Sequence, residues 1–188
     1  MTASPSPVDE VLDLLTRMGN ALFFGEPVSQ TEHALQTAWL AEQAGASRPL
    51  IAAALLHDIG HLLVSDSDPP ESTSGDPGHA EAAAVFLGRG FAESVVETVR
   101  LHVPAKRYLC TVEPGYPAHL TPASQVSLGH QGGLMTPGSA ARFLDSPYAA
   151  DALALRRWDE MARVPGLATP SLAHFRPALE AALRPAAG

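Results

Sequence analysis

Leu50-Ile51-Ala52-Ala53-Ala54-Leu55-Leu56-His57-Asp58-Ile59-Gly60-His61 is the stretch from which the fold can be read. Its first seven residues are apolar on every side of a helix. A helix of that kind belongs in the middle of a bundle, not on its surface. The run is far too short to span a bilayer. His57 and Asp58 follow it at once, so a carboxylate enters an apolar interior. Burial of that kind is costly unless the charge is paired or binds a metal. The imidazole offers a neutral nitrogen ligand, and the two carboxylate oxygens can bridge two cations. The pattern predicts a central helix from Arg48 to Leu63, carrying His57, Asp58 and, one turn on, His61.

Outward from this helix the chain is punctuated by helix signals. Val8 to Met18 has an apolar face in Val11, Leu12, Leu14 and Leu15 and stops at Gly19. After a loop over 20–28, Ser29-Gln30-Thr31-Glu32 has the form of a capping box. It opens a second helix running to about Gly45, with His33 in its first turn. Residues 64–76 are rich in Ser, Asp, Pro and Gly and form a long loop. Asp76 and Pro77 then make an N-cap and first helical position for a helix to Leu87, which places His79 in its first turn. A further helix is expected from Phe91 to His102, stopped by Pro104. Residues 103–135 are expected as loops around a short helix at Pro122–Leu128. Thr136-Pro137, Ser146-Pro147 and Thr169-Pro170 open the last three helices. These end before Asp145, near Ala162 and near Leu183, and the second carries Arg156 and Asp159. No strand, repeat or linker is evident. The expectation is an all-α helical bundle, with a flexible tail over 1–7 and a single domain over 8–188.

Composition narrows the function. The chain has 188 residues and a net charge of −8, from 12 basic and 20 acidic side chains. No basic stripe exists for a nucleic-acid duplex to meet, so no nucleic-acid partner is expected. Cys110 is the single cysteine, so no intrachain disulfide can form. The N-terminus lacks the basic and apolar regions of a signal peptide. A cytoplasmic protein with no membrane segment is expected.

The eight histidines matter more than these bulk properties. His33, His57, His79 and His102 fall on four different predicted helices, and Asp159 on a fifth. With Asp58 they form a set of four imidazoles and two carboxylates. Such a set suits iron, manganese or zinc, and suits calcium badly. Two metals sharing Asp58 is the economical arrangement. His119, His130 and His174 have no placed partner and are expected on loops or the surface. Lys106 lies four residues after His102, and Arg156 three before Asp159, on the same helix face. A point charge and a planar fork together suit an anion with several oxygens. His61, one turn after His57, faces the same side and can donate to such an anion. Glu26, in the loop before the second helix, can pair with a substrate ammonium.

These residues sit in longer motifs. They are Gly25-Glu26-Pro27, His57-Asp58-Ile59-Gly60-His61, Ala105-Lys106-Arg107-Tyr108-Leu109, Gln131-Gly132-Gly133, Met135-Thr136-Pro137 and Arg157-Trp158-Asp159-Glu160. With these motifs the chain resembles the HD-domain superfamily. More closely, from about residue 8 to 180, it resembles the small mixed-valent diiron oxygenases that cleave organophosphonates, the PhnZ type. The resemblance implies that His33, His57 and Asp159 bind one iron, that His79 and His102 bind the other, and that Asp58 bridges them. It implies an Fe(II)/Fe(III) pair with O2 as co-substrate. It also implies a small 1-hydroxyphosphonate as substrate, such as 2-amino-1-hydroxyethylphosphonate. Removal of the C1 hydrogen and insertion of oxygen would break the C–P bond, giving a carboxylate and inorganic phosphate. Ser124 and Gln131 match positions that line the pocket of that family, beside Lys106, Arg156, His61 and Glu26.

The resemblance departs at Phe23. The aminophosphonate-cleaving enzymes carry there a tyrosine associated with a loop that covers the iron when substrate is absent. Phe23 has no hydroxyl, so it can neither coordinate iron nor make that hydrogen bond. Two other classes compete. A phosphohydrolase of the same superfamily would use its metals to activate water against a phosphate ester. A degenerate module used only for binding would have lost ligands, and here all six are present.

Overall fold

The computed structural model describes residues 5–20, 26–63 and 78–185. Phe23, Gly25, the loop over 64–76 and the Asp76-Pro77 cap lie outside the described residues. So does most of the tail.

The described residues form an all-α bundle with no strand. Helix α1 (Pro7–Met18) is capped by Ser6, whose hydroxyl accepts from the Asp9 amide. Helix α2 (Gln30–Gln43) opens on the expected capping box. Ser29 Oγ accepts from the Glu32 amide at 3.2 Å, and Glu32 accepts from the Ser29 amide at 2.7 Å. Helix α3 (Arg48–Leu56) is the central one, and its residues Leu50 to Leu56 are all buried. It packs against α2, α5 (Glu93–Val112), α8 (Ala149–Met161) and α9 (Arg176–Ala181). The main core gathers around it, with Leu15, Leu87, Phe91, Leu155, Phe175 and Leu179 meeting its sides.

The α3 boundary differs from expectation. The helix ends at Leu56, and Asp58 takes φ −102°, ψ 9°, outside the helical region. A 3-10 turn over Ile59–Leu62 follows. His57 and Asp58 therefore sit at the end of the helix, on a sharp change of direction. Sparsely populated backbone of this kind is common where side chains must be aimed.

Helix α5 is the larger correction. It runs straight through Pro104 to Val112, so His102 is mid-helix and Lys106 follows one turn later on the same rod. Proline removes one backbone donor and disfavours a helix interior. Burial outweighs that loss. Ala105, Leu109 and Cys110 continue the buried face and pack with Met135, Phe143, Ala152, Tyr116 and Leu120 into two smaller clusters. Helix α4 (His79–Leu87) packs along α5, and α6 (Pro122–His130) and α7 (Pro137–Leu144) are capped by Thr121 and Thr136. Helix α8 starts at Ala149, later than its Ser146-Pro147 signal. The last segment is shorter than expected, a 3-10 turn at Leu172–Phe175 and then α9. No described helix is long and apolar enough to cross a membrane.

Candidate metal centre and substrate cavity

The end of α3 is where the other elements converge. The first turn of α2 supplies His33, the first residue of α4 is His79, the middle of α5 gives His102, and the last turns of α8 give Asp159. All are buried. Gly60 makes the approach of α4 feasible. A Cβ there would lie 2.0 Å from the His79 carbonyl oxygen, so only glycine lets the backbone carrying His79 come this close to the Asp58 turn.

Asp58 stands between two groups of nitrogens. Its Oδ2 lies 3.6 Å from His33 Nε2 and 3.4 Å from His57 Nε2. Its Oδ1 lies 3.4 Å from His102 Nε2 and 3.6 Å from His79 Nε2. Asp159 joins the first group, with Oδ1 3.4 Å from His33 Nε2 and 4.0 Å from His57 Nε2. His61 approaches the second. Its Nε2 is 3.9 Å from Asp58 Oδ1, and its ring stacks on that of His79 with centroids 4.0 Å apart.

The chemistry of these donors fits metal ions. Three of the imidazoles use Nδ1 against a backbone carbonyl: His33 with Ala162 at 2.8 Å, His57 with Ala54 at 2.9 Å and His102 with Val99 at 2.7 Å. A carbonyl accepts only, so each Nδ1 carries the proton and, in the neutral ring, Nε2 is left as a lone pair facing inward. Yet the Nε2 atoms of His33 and His57 are 3.2 Å apart, and those of His79 and His102 are 3.1 Å apart. Lone pairs do not face each other at such distances without a proton or a cation between them. Burial pushes His61 down to about 3 and His102 to about 4, so both are neutral donors at pH 7. Burial also opposes charge on His57, but the Asp58 and Asp159 carboxylates outweigh it and hold that ring up at about 9. Burial by itself would raise the Asp58 carboxyl. The His57 and His102 imidazoles reverse this and keep it well below the usual carboxylate range. A centre that holds its carboxylates ionised and draws a proton onto one imidazole is built to take positive charge. Metal ions compete with protons for such donors. His33, His57 and Asp58 could hold one ion, and Asp58, His61 and His79, with His102 beside them, a second.

A cavity of about 350 Å³ opens over this cluster. Lys106, Arg156, His61, Ser124, Glu26 and Gln131 all line it, as do Asp58, His79, His102 and Asp159. His33 and His57 lie behind, fully buried. Lys106 is only 3% exposed. Its Nζ donates to Ser127 Oγ at 2.7 Å, and no carboxylate pairs with it among the described residues. Burial, with the Arg156 charge nearby, lowers its pKa to about 7. Arg156 is more committed than the sequence suggested. Its guanidinium donates to Asp159, to Glu160 and, at 3.0 Å, to Ser124 Oγ. Gln131 is set by a turn in which Arg107 donates to the carbonyls of Gly133 at 2.8 Å and Gly132 at 3.2 Å. Both glycines have positive φ, 95° at Gly132 and 63° at Gly133, which a side chain would strain.

Sequence reasoning missed Arg163, Glu160, Thr121 and Ser127. Arg163 donates to Asp159 Oδ1 and Glu160 Oε1, each at 3.1 Å. Its spacing of four from Asp159 was a signal, but it lies past the end of α8, where helical spacing says little. His119, His130 and His174 are exposed, and His174 pairs with Glu42 at 3.0 Å.

Known proteins are similar to this chain in sequence. The HD-domain family model matches residues 31–127, a span that holds every donor except Asp159. A hydroxymethylphosphonate dioxygenase of Gimesia maris is 41% identical over 97% of this chain and 92% of its own length. A [1-hydroxy-2-(trimethylamino)ethyl]phosphonate dioxygenase (glycine-betaine-forming) of Leisingera caerulea is 38% identical over 92% of this chain and 88% of its own. An uncharacterised protein of Acanthamoeba polyphaga mimivirus is 32% identical over 90% and 78%. From its helical architecture, its His-Asp turn and these matches, the chain belongs to the HD-domain family.

Proposed function

We propose that this protein is a diiron oxygenase that uses O2 to cleave the C–P bond of a 1-hydroxyphosphonate. The observation that carries the reading is the position of Lys106. It is a buried cation with no carboxylate partner among the described residues, in the wall of a cavity whose floor is the Asp58 donor set. An anion is the natural complement to such a lysine. The two relatives named as dioxygenases of hydroxylated phosphonates point to the same chemistry.

His33, His57 and Asp159 would hold one iron, His79 and His102 the other, and Asp58 would join them. When bound, an Fe(II)/Fe(III) pair supplies the activation of O2 and the oxidation at C1. The protein's own groups fix the substrate. Lys106, oriented by Ser127, takes a phosphonate oxygen as a charge-assisted hydrogen bond. His61 also lines the cavity and would meet the same headgroup. Arg156 acts through its neighbours, holding the second oxygen of Asp159 and the hydroxyl of Ser124 in place. Gln131 also lines the wall of the cavity. Overall, one O2 oxidises the carbon. The C–P bond is replaced by a C–O and a P–O bond, with release of a carboxylate, phosphate and a proton.

Iron-loaded protein given a 1-hydroxyphosphonate under air is expected to consume O2 and release phosphate in equal amounts. Hydroxymethylphosphonate would yield formate, and 2-amino-1-hydroxyethylphosphonate glycine. Phosphate release from a phosphate ester under strict anaerobiosis, with none from phosphonates, would overturn this in favour of a phosphohydrolase.

A further inference from the structure

The two dioxygenase relatives are named for substrates that differ at one end. One phosphonate carries nothing beyond its hydroxymethyl carbon, and the other carries a quaternary ammonium. The cavity has a group that bears on this difference. Glu26 lies in its wall, and a lone buried carboxylate there would attract an ammonium.

Glu26 is not alone. Its Oε1 accepts from Thr121 Oγ1 at 2.5 Å and lies 3.6 Å from Arg163 Nη1. That nitrogen also donates to Thr121 Oγ1 at 3.2 Å and to Glu160 Oε1 at 3.1 Å. The second terminal nitrogen of Arg163 holds Asp159. Three carboxylates, Glu26, Asp159 and Glu160, thus share two guanidiniums, Arg156 and Arg163, in one buried network. With Asp159 serving a metal, Glu26 and Glu160 face Arg156 and Arg163 one for one, so the charge of Glu26 is already matched. An ammonium entering here would meet Arg163 as well as Glu26, in surroundings of low dielectric where like charges repel strongly. A substrate end without charge meets no such penalty. Volume does not decide the matter, because about 350 Å³ admits either substrate.

We propose that Arg163, by pairing with Glu26, is a specificity-determining residue that selects 1-hydroxyphosphonates with no cationic substituent. This rests on the phosphonate reading above. It narrows the substrate class to hydroxymethylphosphonate and phosphonates with small uncharged groups on C1. A positive charge on the substrate, like that of Arg163, is rejected, a repulsive element of the kind specificity often needs.

The test compares hydroxymethylphosphonate with 2-amino-1-hydroxyethylphosphonate on iron-loaded protein. Binding is followed by calorimetry under anaerobic conditions and turnover by phosphate release under air. The wild type is expected to favour hydroxymethylphosphonate by about tenfold or more in both, the size of a 1.4 kcal/mol difference. Arg163→Met is expected to move the ratio toward the amino substrate by a similar factor, and Arg163→Lys to restore it. Iron per chain is measured alongside, because Arg163 touches Asp159. A purely structural role would lower both substrates together and leave the ratio unchanged, which overturns the proposal. So does a wild type that prefers the amino compound. Failure of both phosphonates to bind or react overturns the phosphonate reading itself, so the two failures are distinct.

Discussion

His33 Nδ1 lies 2.8 Å from the carbonyl oxygen of Ala162, a residue 129 positions later in the chain. The contact is held by Gln36, one turn along α2. Its amide donates to the Val164 carbonyl at 2.8 Å and accepts from the Val164 amide at 3.0 Å. This pair of hydrogen bonds ties the segment after α8 to α2, and so fixes both the His33 ring and the end of the helix carrying Asp159. Gln36→Ala is expected to weaken iron binding at the His33 side about 10- to 100-fold, the usual cost of losing an outer support. Iron titration followed by metal analysis reads this. Unchanged affinity would show that the clamp does not orient His33.

Asp58 offers one oxygen to each group of imidazoles. If the protein holds the two irons proposed, Asp58→Ala is expected to bring them to near none, whereas His79→Ala retains one. Retention of two irons by Asp58→Ala would remove Asp58 from the bridging position.

Lys106 gives the site a pH limb. Burial lowers its pKa to about 7, against about 10.4 for an unhindered lysine. Between those values the unfolded chain holds the proton and the folded chain does not, so this residue makes folding more favourable as pH rises through the window. Phosphonate binding has the opposite sign, because it needs the ammonium. Affinity is expected to fall as pH rises above about 7. Lys106→Met should flatten this limb, raise KM about 10- to 100-fold at neutral pH, and leave iron content intact. A variant with the wild-type pH profile would clear Lys106 of any part in binding.

Gly60→Ala tests the approach of α4. The added carbon would lie 2.0 Å from the His79 carbonyl oxygen and 3.1 Å from the Ala83 nitrogen, both backbone atoms that cannot swing aside. A loss of about 1–3 kcal/mol is expected, seen as a fall of several degrees in Tm. Iron at the His79 and His102 side should be lost first. A variant as stable as the wild type would mean that α4 shifts freely.

The residues that meet at Asp58 could be picked out because the chemistry of each is local. An apolar run that ends in His-Asp, and histidines just after Ser or beside Asp-Pro signals, are visible in one dimension. Helix starts were read at Thr136-Pro137 and at Pro122, whereas α8 and the last helical segment start later than their Ser146-Pro147 and Thr169-Pro170 signals. Two helix ends were not legible either. Pro104 looks like a stop, but Ala105, Leu109 and Cys110 have a core to enter, and packing outweighs one lost hydrogen bond. The end of α3 at Leu56 carries no Gly or Pro signal; it is set by the turn that aims Asp58. The Arg163 network was hidden for another reason. Glu26, Thr121 and Glu160 are brought together from three parts of the chain, and no local pattern announces their meeting.

The early end of α3 has an electrostatic result as well as a geometric one. Backbone dipoles in a helix add along its axis, leaving partial negative charge on the last carbonyls. In this fold the central helix α3 points that end at the donors, and the Ala54 carbonyl of its final turn already receives the His57 Nδ1 proton. Leu50 to Leu56 therefore do more than fill the interior. Their peptide groups add a field, worth up to about 2 kcal/mol for a unit charge in a partly buried setting, that favours cations at Asp58 without any further charged side chain.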